Sequence, residues 1–117
     1  MESWRTSELL DRLQIAGEPW LEFLRVADLS AGLYRLRAAA DDRQQPHTED
    51  EVYVVMAGRA TFEAGRERRE VTAGSVIFVP AGEAHRFLDV REELAVLVVF
   101  APAEYSRAAP GDPSALP

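Results

Sequence analysis

Residues 44–58 read QQPHTEDEVYVVMAG, and the reading of this stretch decides the fold. From Glu51 onward, apolar residues fall at both odd and even positions through Val52, Tyr53, Val54, Val55 and Met56. That is the mark of a strand buried on both faces. Residues two apart in a strand point the same way, so Gln45, His47 and Glu51 share a side with Tyr53 and Val55. An imidazole and a carboxylate aimed into a core are costly unless each is paired or bound to something. Glu49 and Asp50 read differently, as the solvated start of the strand.

Short apolar runs extend on both sides of this stretch: WLEFLRV, AGLYRLRAA, RATFEA, REVT, SVIFVP, HRFLDV and LAVLVVFAP. The turn signals AG, EAG, TAG and PAGEA lie between them. Many short strands at this spacing argue an all-β sandwich or barrel. No helical pattern separates the runs, which argues against a parallel βαβ sheet. Ahead of them, Leu9, Leu10 and Leu13 share a stripe after Ser7, which predicts one short amphipathic helix capped by Ser7. LAVLVVF is also apolar on both faces. A partner subunit is its simplest cover, with the N-terminal segment as the alternative. The run RERRE, Arg66 to Glu70, reads as an exposed hairpin edge that discourages sheet-to-sheet association.

Composition narrows the function. The 117 residues fit one domain with a single core. A formal charge of -7 disfavours nucleic acid, which demands a basic surface. The run LAVLVVFAPA has about half the length a bilayer requires, so no membrane span is expected. The charged N-terminus has no apolar signal-like core, which implies a cytoplasmic protein. Without cysteine there are no disulfides, thiolate nucleophiles or sulfur ligands. All thirteen basic residues are arginine, a compositional bias rather than a functional sign.

The second histidine, His85, follows the turn PAGEA and shares parity with Phe87 and Asp89. Two imidazoles and one carboxylate converging inside a barrel form a 2-His-1-carboxylate donor set with open metal positions. Tyr53, Phe78 and Phe87 are core by default, and we expect them to line a pocket beside it. Gly58, Gly74 and Gly82 are turn residues rather than a phosphate loop, since no glycine-rich stretch ends in Lys-Ser or Lys-Thr. A serine hydrolase is disfavoured because there is no G-x-S-x-G elbow.

These residues resemble the cupins. The first cupin motif runs from a glycine through two histidines and a glutamate to a closing glycine. QPHTEDEVYVVMAG matches its end, with His47 at the second histidine and Glu51 and Gly58 in register. GSVIFVPAGEAHRFLD matches the second motif through Gly74, Pro80, Gly82 and His85. The resemblance covers about Leu33 to Pro102. It implies a jelly-roll (double-stranded β-helix) barrel, a homodimer and one divalent metal (Fe, Zn, Ni or Mn) held inside. Carried over, the ligands are His47, Glu51 and His85. Two positions depart from the pattern. Gln45 replaces the first histidine and is expected at or near the fourth position, and Asp89 replaces the final asparagine as a turn or outer residue. The chain then divides into an N-terminal helical segment (1–16), the barrel (17–104) and a flexible tail (105–117).

The implied function is a metal-binding small-molecule cupin. It would be a mononuclear metal-dependent enzyme of dioxygenase-like or Lewis-acid (isomerase or lyase) type. The alternative is a non-catalytic small-molecule or metal-binding sensor barrel. A metal-free structural barrel explains the histidine placement less well.

Overall fold

Alternation of inward and outward side chains sets the architecture. The computed structural model describes residues 1–42 and 46–108. Its elements are a helix, α1 (Thr6–Ala16), and six strands. These are β1 (Trp20–Val26), β2 (Leu29–Leu36), β3 (Asp50–Ala64), β4 (Glu67–Thr72), β5 (Val76–Val79) and β6 (His85–Ala101). Every pairing is antiparallel, in the order β1-β2-β6-β3-β4, and β5 continues along β3 where β4 leaves off.

Two pairs of apolar runs that read as separate strands are continuous. EVYVVMA and RATFEA both belong to β3, and HRFLDV and LAVLVVFAP to β6. Bends replace the expected turns. Gly58 has φ 98°, and a Cβ there would lie 2.3 Å from the Glu93 carbonyl oxygen, so only glycine lets the strands approach so closely. The β3–β6 register shifts on both sides of this point. The bent ladder closes into a jelly-roll (double-stranded β-helix) barrel. Asp89, at φ 47°, breaks the parity expected from His85 and Phe87. Val90 therefore takes the buried position, while Asp89 is exposed and pairs with Arg91 at 3.1 Å.

The core is the inner face: Tyr53, Val55, Phe62, Phe87, Val96 and Phe100, among others. A second layer explains the double-sided burial of β3 and β6. Leu9 and Leu13 of α1 cover Leu33, with Met56 and Leu97 packed alongside. The N-terminal segment thus covers one end of the outer face. Val76 and Phe78 of β5 stay exposed there. The helix cap differs from the expected one. Arg5 is the N-cap and Ser7 lies inside the first turn. At the other end Gly17, at φ 69°, closes the helix with a left-handed turn. The RERRE segment is exposed on the edge strand β4, as expected. No helix among the described residues is long and apolar enough to cross a membrane.

Candidate metal centre

Backbone contacts bring the two histidines together from opposite ends of the chain's motifs. The turn after β5 donates its Gly82 N–H to the His47 carbonyl at 2.8 Å. Its Ala81 N–H goes to the Asp50 carboxylate, also at 2.8 Å. The segment before β3 is thereby tied to the segment before β6. His47, Glu51 and His85 are all buried, and one donor atom from each lies within 4.8 Å of the others. His47 Nδ1 is 3.1 Å from Glu51 Oε1, and His85 Nε2 is 3.0 Å from the same oxygen.

The proton positions follow from the acceptors. A backbone carbonyl only accepts, so His85 Nδ1, 2.8 Å from the Glu83 carbonyl, carries the hydrogen. In the neutral ring its Nε2 is then a lone pair facing Glu51 and the Tyr53 hydroxyl, which lies 2.9 Å away. This is the arrangement by which a metal-binding histidine is held in one tautomer.

Two buried polar atoms have no hydrogen-bond partner among the described residues: His47 Nδ1 and Glu51 Oε2. His47 Nδ1 is close to Glu51 Oε1 but off the line a hydrogen bond needs. Orphaned buried atoms of this kind cost free energy unless a ligand satisfies them. Two imidazoles, a carboxylate and unspent lone pairs facing one another fit a divalent cation. The ion-free electrostatics point the same way. Burial pulls the His47 pKa down, but Glu104 and Glu51 outweigh it and hold it up at about 9. Burial pushes Glu51 up, and His47 and His85 reverse this to about 2. His85 is likewise raised, burial being outweighed by Glu51 and the Glu83 carbonyl. All three shifts favour positive charge beside the Glu51 carboxylate, whether it comes from protons or from a cation.

The other expected site residues divide. Gln45 lies outside the described residues. Tyr53 is fully buried against His85, and Phe87 packs between Tyr53 and Phe62. Burial and the neighbouring Glu51 push the Tyr53 hydroxyl well above its usual range, so it keeps its proton. Phe78 does not line the site. It is 62% exposed, because alternation in β5 gives the inner face to Ile77 and Val79.

Glu49 is also a correction, being fully buried rather than solvated. Its carboxylate accepts the backbone N–H groups of Tyr105 (2.5 Å) and Arg107 (2.9 Å), and Thr48 donates its hydroxyl. The parity of Glu49 with His47 and Glu51 was the available signal. Glu104 and Tyr105 gave none. Glu104 Oε2 lies 3.0 Å from His47 Nε2, and the Tyr105 ring stacks on His47 at 5.1 Å. Residues 105–108, expected to begin a flexible tail, form hydrogen-bonded turns here. Tyr105 adopts φ 59°. That backbone state costs a non-glycine residue about 1–3 kcal/mol, so the Glu49 contacts must hold it. A separate cavity of about 350 Å³ is lined by Asp41, Asp42, Arg86 and Asp89, among others, and by none of the three donors.

Comparison with known proteins agrees with this fold. A family model described as "Cupin domain" matches residues 32–100, more than half of the chain. An uncharacterised protein of Streptomyces coelicolor is 46% identical over 104 residues, 89% of this chain and 99% of its own. Among solved structures, an RmlC-like cupin from Shewanella frigidimarina has a TM-score of 0.66 at 20% identity, covering 72% of this chain and 75% of its own. KdgF from Halomonas sp. has a TM-score of 0.65 at 20% identity, covering 71% and 76%. The DMSP lyase DddQ from Ruegeria pomeroyi has a TM-score of 0.61 at 25% identity, covering 65% of this chain and 39% of that one.

Proposed function

The chain belongs to the cupin family, and from that premise we propose that it is a single-metal enzyme of Lewis-acid type. It would act on a small molecule as an isomerase or lyase. One observation carries the reading: three buried donors converge, with orphaned atoms on two of them. His47, Glu51 and His85 would hold the ion, and iron(II), zinc, nickel or manganese suits two nitrogens and an oxygen. When bound, such an ion supplies positive charge that polarises a carbonyl or enol oxygen. Around it, Glu51 fixes a negative charge that both imidazoles face. Tyr53 keeps its hydroxyl proton beside His85 and so offers a buried hydrogen-bond donor at the site. Phe62, Phe87 and Phe100 exclude water from the inner wall. The likeness to a DMSP lyase adds weight to the lyase branch.

Two observations favour other readings. The 2-His-1-carboxylate set also serves dioxygenase-like chemistry. The C-terminal turn over His47 favours a non-catalytic sensor that binds a metal or small molecule. Loading the protein separately with each metal and screening enolisable carbonyl compounds separates the three. Product formed without oxygen uptake, and lost in Glu51→Gln, supports the proposal. Oxygen consumption with iron(II) replaces it by dioxygenase chemistry. Metal binding with no turnover favours the sensor.

The exposed Val76 and Phe78 support a homodimer formed through the outer face.

A further inference from the structure

Resting on the metal-binding reading above, the geometry points to Glu104 as a positioning residue that sets which nitrogen of His47 faces the donor cluster. A carboxylate only accepts, so the 3.0 Å contact from Glu104 Oε2 places a ring hydrogen on His47 Nε2. In the neutral ring Nδ1 is then the lone pair. That nitrogen lies 3.1 Å from Glu51 Oε1 and has no hydrogen bond. Two lone pairs facing each other in a core repel unless a cation or proton lies between them. His85 has the mirror arrangement, with Nδ1–H given to the Glu83 carbonyl and Nε2 facing Glu51. Each histidine spends one nitrogen on an outer acceptor and aims the other inward. For His85 the backbone decides which, whereas for His47 a side chain decides.

The turn that carries Glu104 is held on several sides. Glu49 accepts the N–H groups of Tyr105 and Arg107. Ser30 Oγ accepts the Glu104 N–H at 2.8 Å, and the Arg25 guanidinium donates to the Glu104 carbonyl at 2.8 Å. Burying the Glu49 carboxylate completely for two backbone groups is costly, and its effect is to fix the position of Glu104. A carboxylate behind a ligating histidine orients the ring and raises its basicity. Sequence neighbours of the motif do not supply it. Glu104 comes from just beyond β6.

The test combines zinc(II) titration calorimetry with nitrogen-15 NMR of the imidazoles. In the zinc-loaded protein, His47 is expected to bind through Nδ1 with its hydrogen on Nε2, and His85 the reverse. Glu104→Ala should weaken zinc binding about 10–100-fold and lose the single His47 tautomer. Glu104→Gln, whose amide oxygen still accepts, should keep that tautomer and recover most of the affinity. A purely structural Glu104 would lower the melting temperature without changing the ring pattern. Zinc on His47 Nε2 in the wild type overturns the inference, as does Glu104→Ala with unchanged affinity and tautomer. If Glu104→Ala does not fold, the wild-type ring pattern and Glu104→Gln still decide. A wild type that takes no zinc overturns the metal-binding reading itself, which separates the two failures.

Discussion

Raising the pH of the metal-free protein from about 6.5 to 9 should destabilise it, and His47 should account for most of the loss. The ring is buried, with both nitrogens near carboxylates, Nδ1 at 3.1 Å from Glu51 and Nε2 at 3.0 Å from Glu104. Folding raises its pKa from 6.5 to about 9. A group bound to its proton more tightly in the folded state stabilises fully below its unfolded pKa. That contribution is lost as pH climbs through the folded value. At about 1.4 kcal/mol for each tenfold change in proton affinity, the shift is worth about 3 kcal/mol. For a domain of this size that is a fall of about 10 °C in melting temperature. His85 is raised in the same direction and adds to the fall. Glu51, held at about 2, belongs to the same contacts and is not counted twice. Its contribution is present above about pH 4.5 and is lost only as pH falls through about 2. The assay is thermal unfolding with a chelator present at half-unit pH steps, for wild type and His47→Gln. A melting temperature that is flat or rising from pH 6.5 to 9 in the wild type would refute the reasoning, as would an equal fall in the variant.

Three further outcomes follow from the packing. Glu49→Ala strands the Tyr105 and Arg107 amides and should cost about 3 kcal/mol in urea unfolding, at roughly 1.5–3 kcal/mol per charge-assisted bond; a loss under about 1 kcal/mol would show that the turn is not held there. Gly58→Ala places a methyl against the Glu93 carbonyl at a left-handed φ and should cost at least about 2 kcal/mol, while Gly74→Ala, with open space at its Cβ, should cost less. Phe78→Glu puts a charge on the exposed outer face and should turn a dimer into a monomer by light scattering without altering zinc affinity. A wild type that is already monomeric at micromolar concentration would dismiss the interface.

Much of the barrel was legible because strand periodicity is local. Parity placed His47 and Glu51 inward with Tyr53 and His85 inward with Phe87, and the resemblance to the second cupin motif implied that His85 is their partner. Parity failed where the backbone departs from a regular strand. Asp89 turns outward because its φ is positive. Runs that read as separate strands are joined through the bend at Gly58, whose close approach to Glu93 is a tertiary fact. Phe78 misled because an apolar side chain on a short strand says nothing about which face is covered. Glu49 was misread because a run of acids resembles a solvated segment, although its odd position shared the inward register. Glu104 and Tyr105 were invisible. Their roles depend on a turn far along the chain folding back over His47, and no local pattern encodes that return.

Zinc titration calorimetry on chelator-stripped protein measures cation binding by His47, Glu51 and His85 most directly. At pH 7.5 the wild type should bind one ion per chain and release protons, since His47 is held protonated up to about pH 9 without metal and His85 is shifted in the same direction. His85→Ala removes one of two nitrogen donors and should weaken binding by more than about 100-fold, beyond the loss expected from an outer partner alone. Wild-type protein that takes up no zinc, iron(II), nickel or manganese would contradict the account, and so would His85→Ala binding as tightly as wild type.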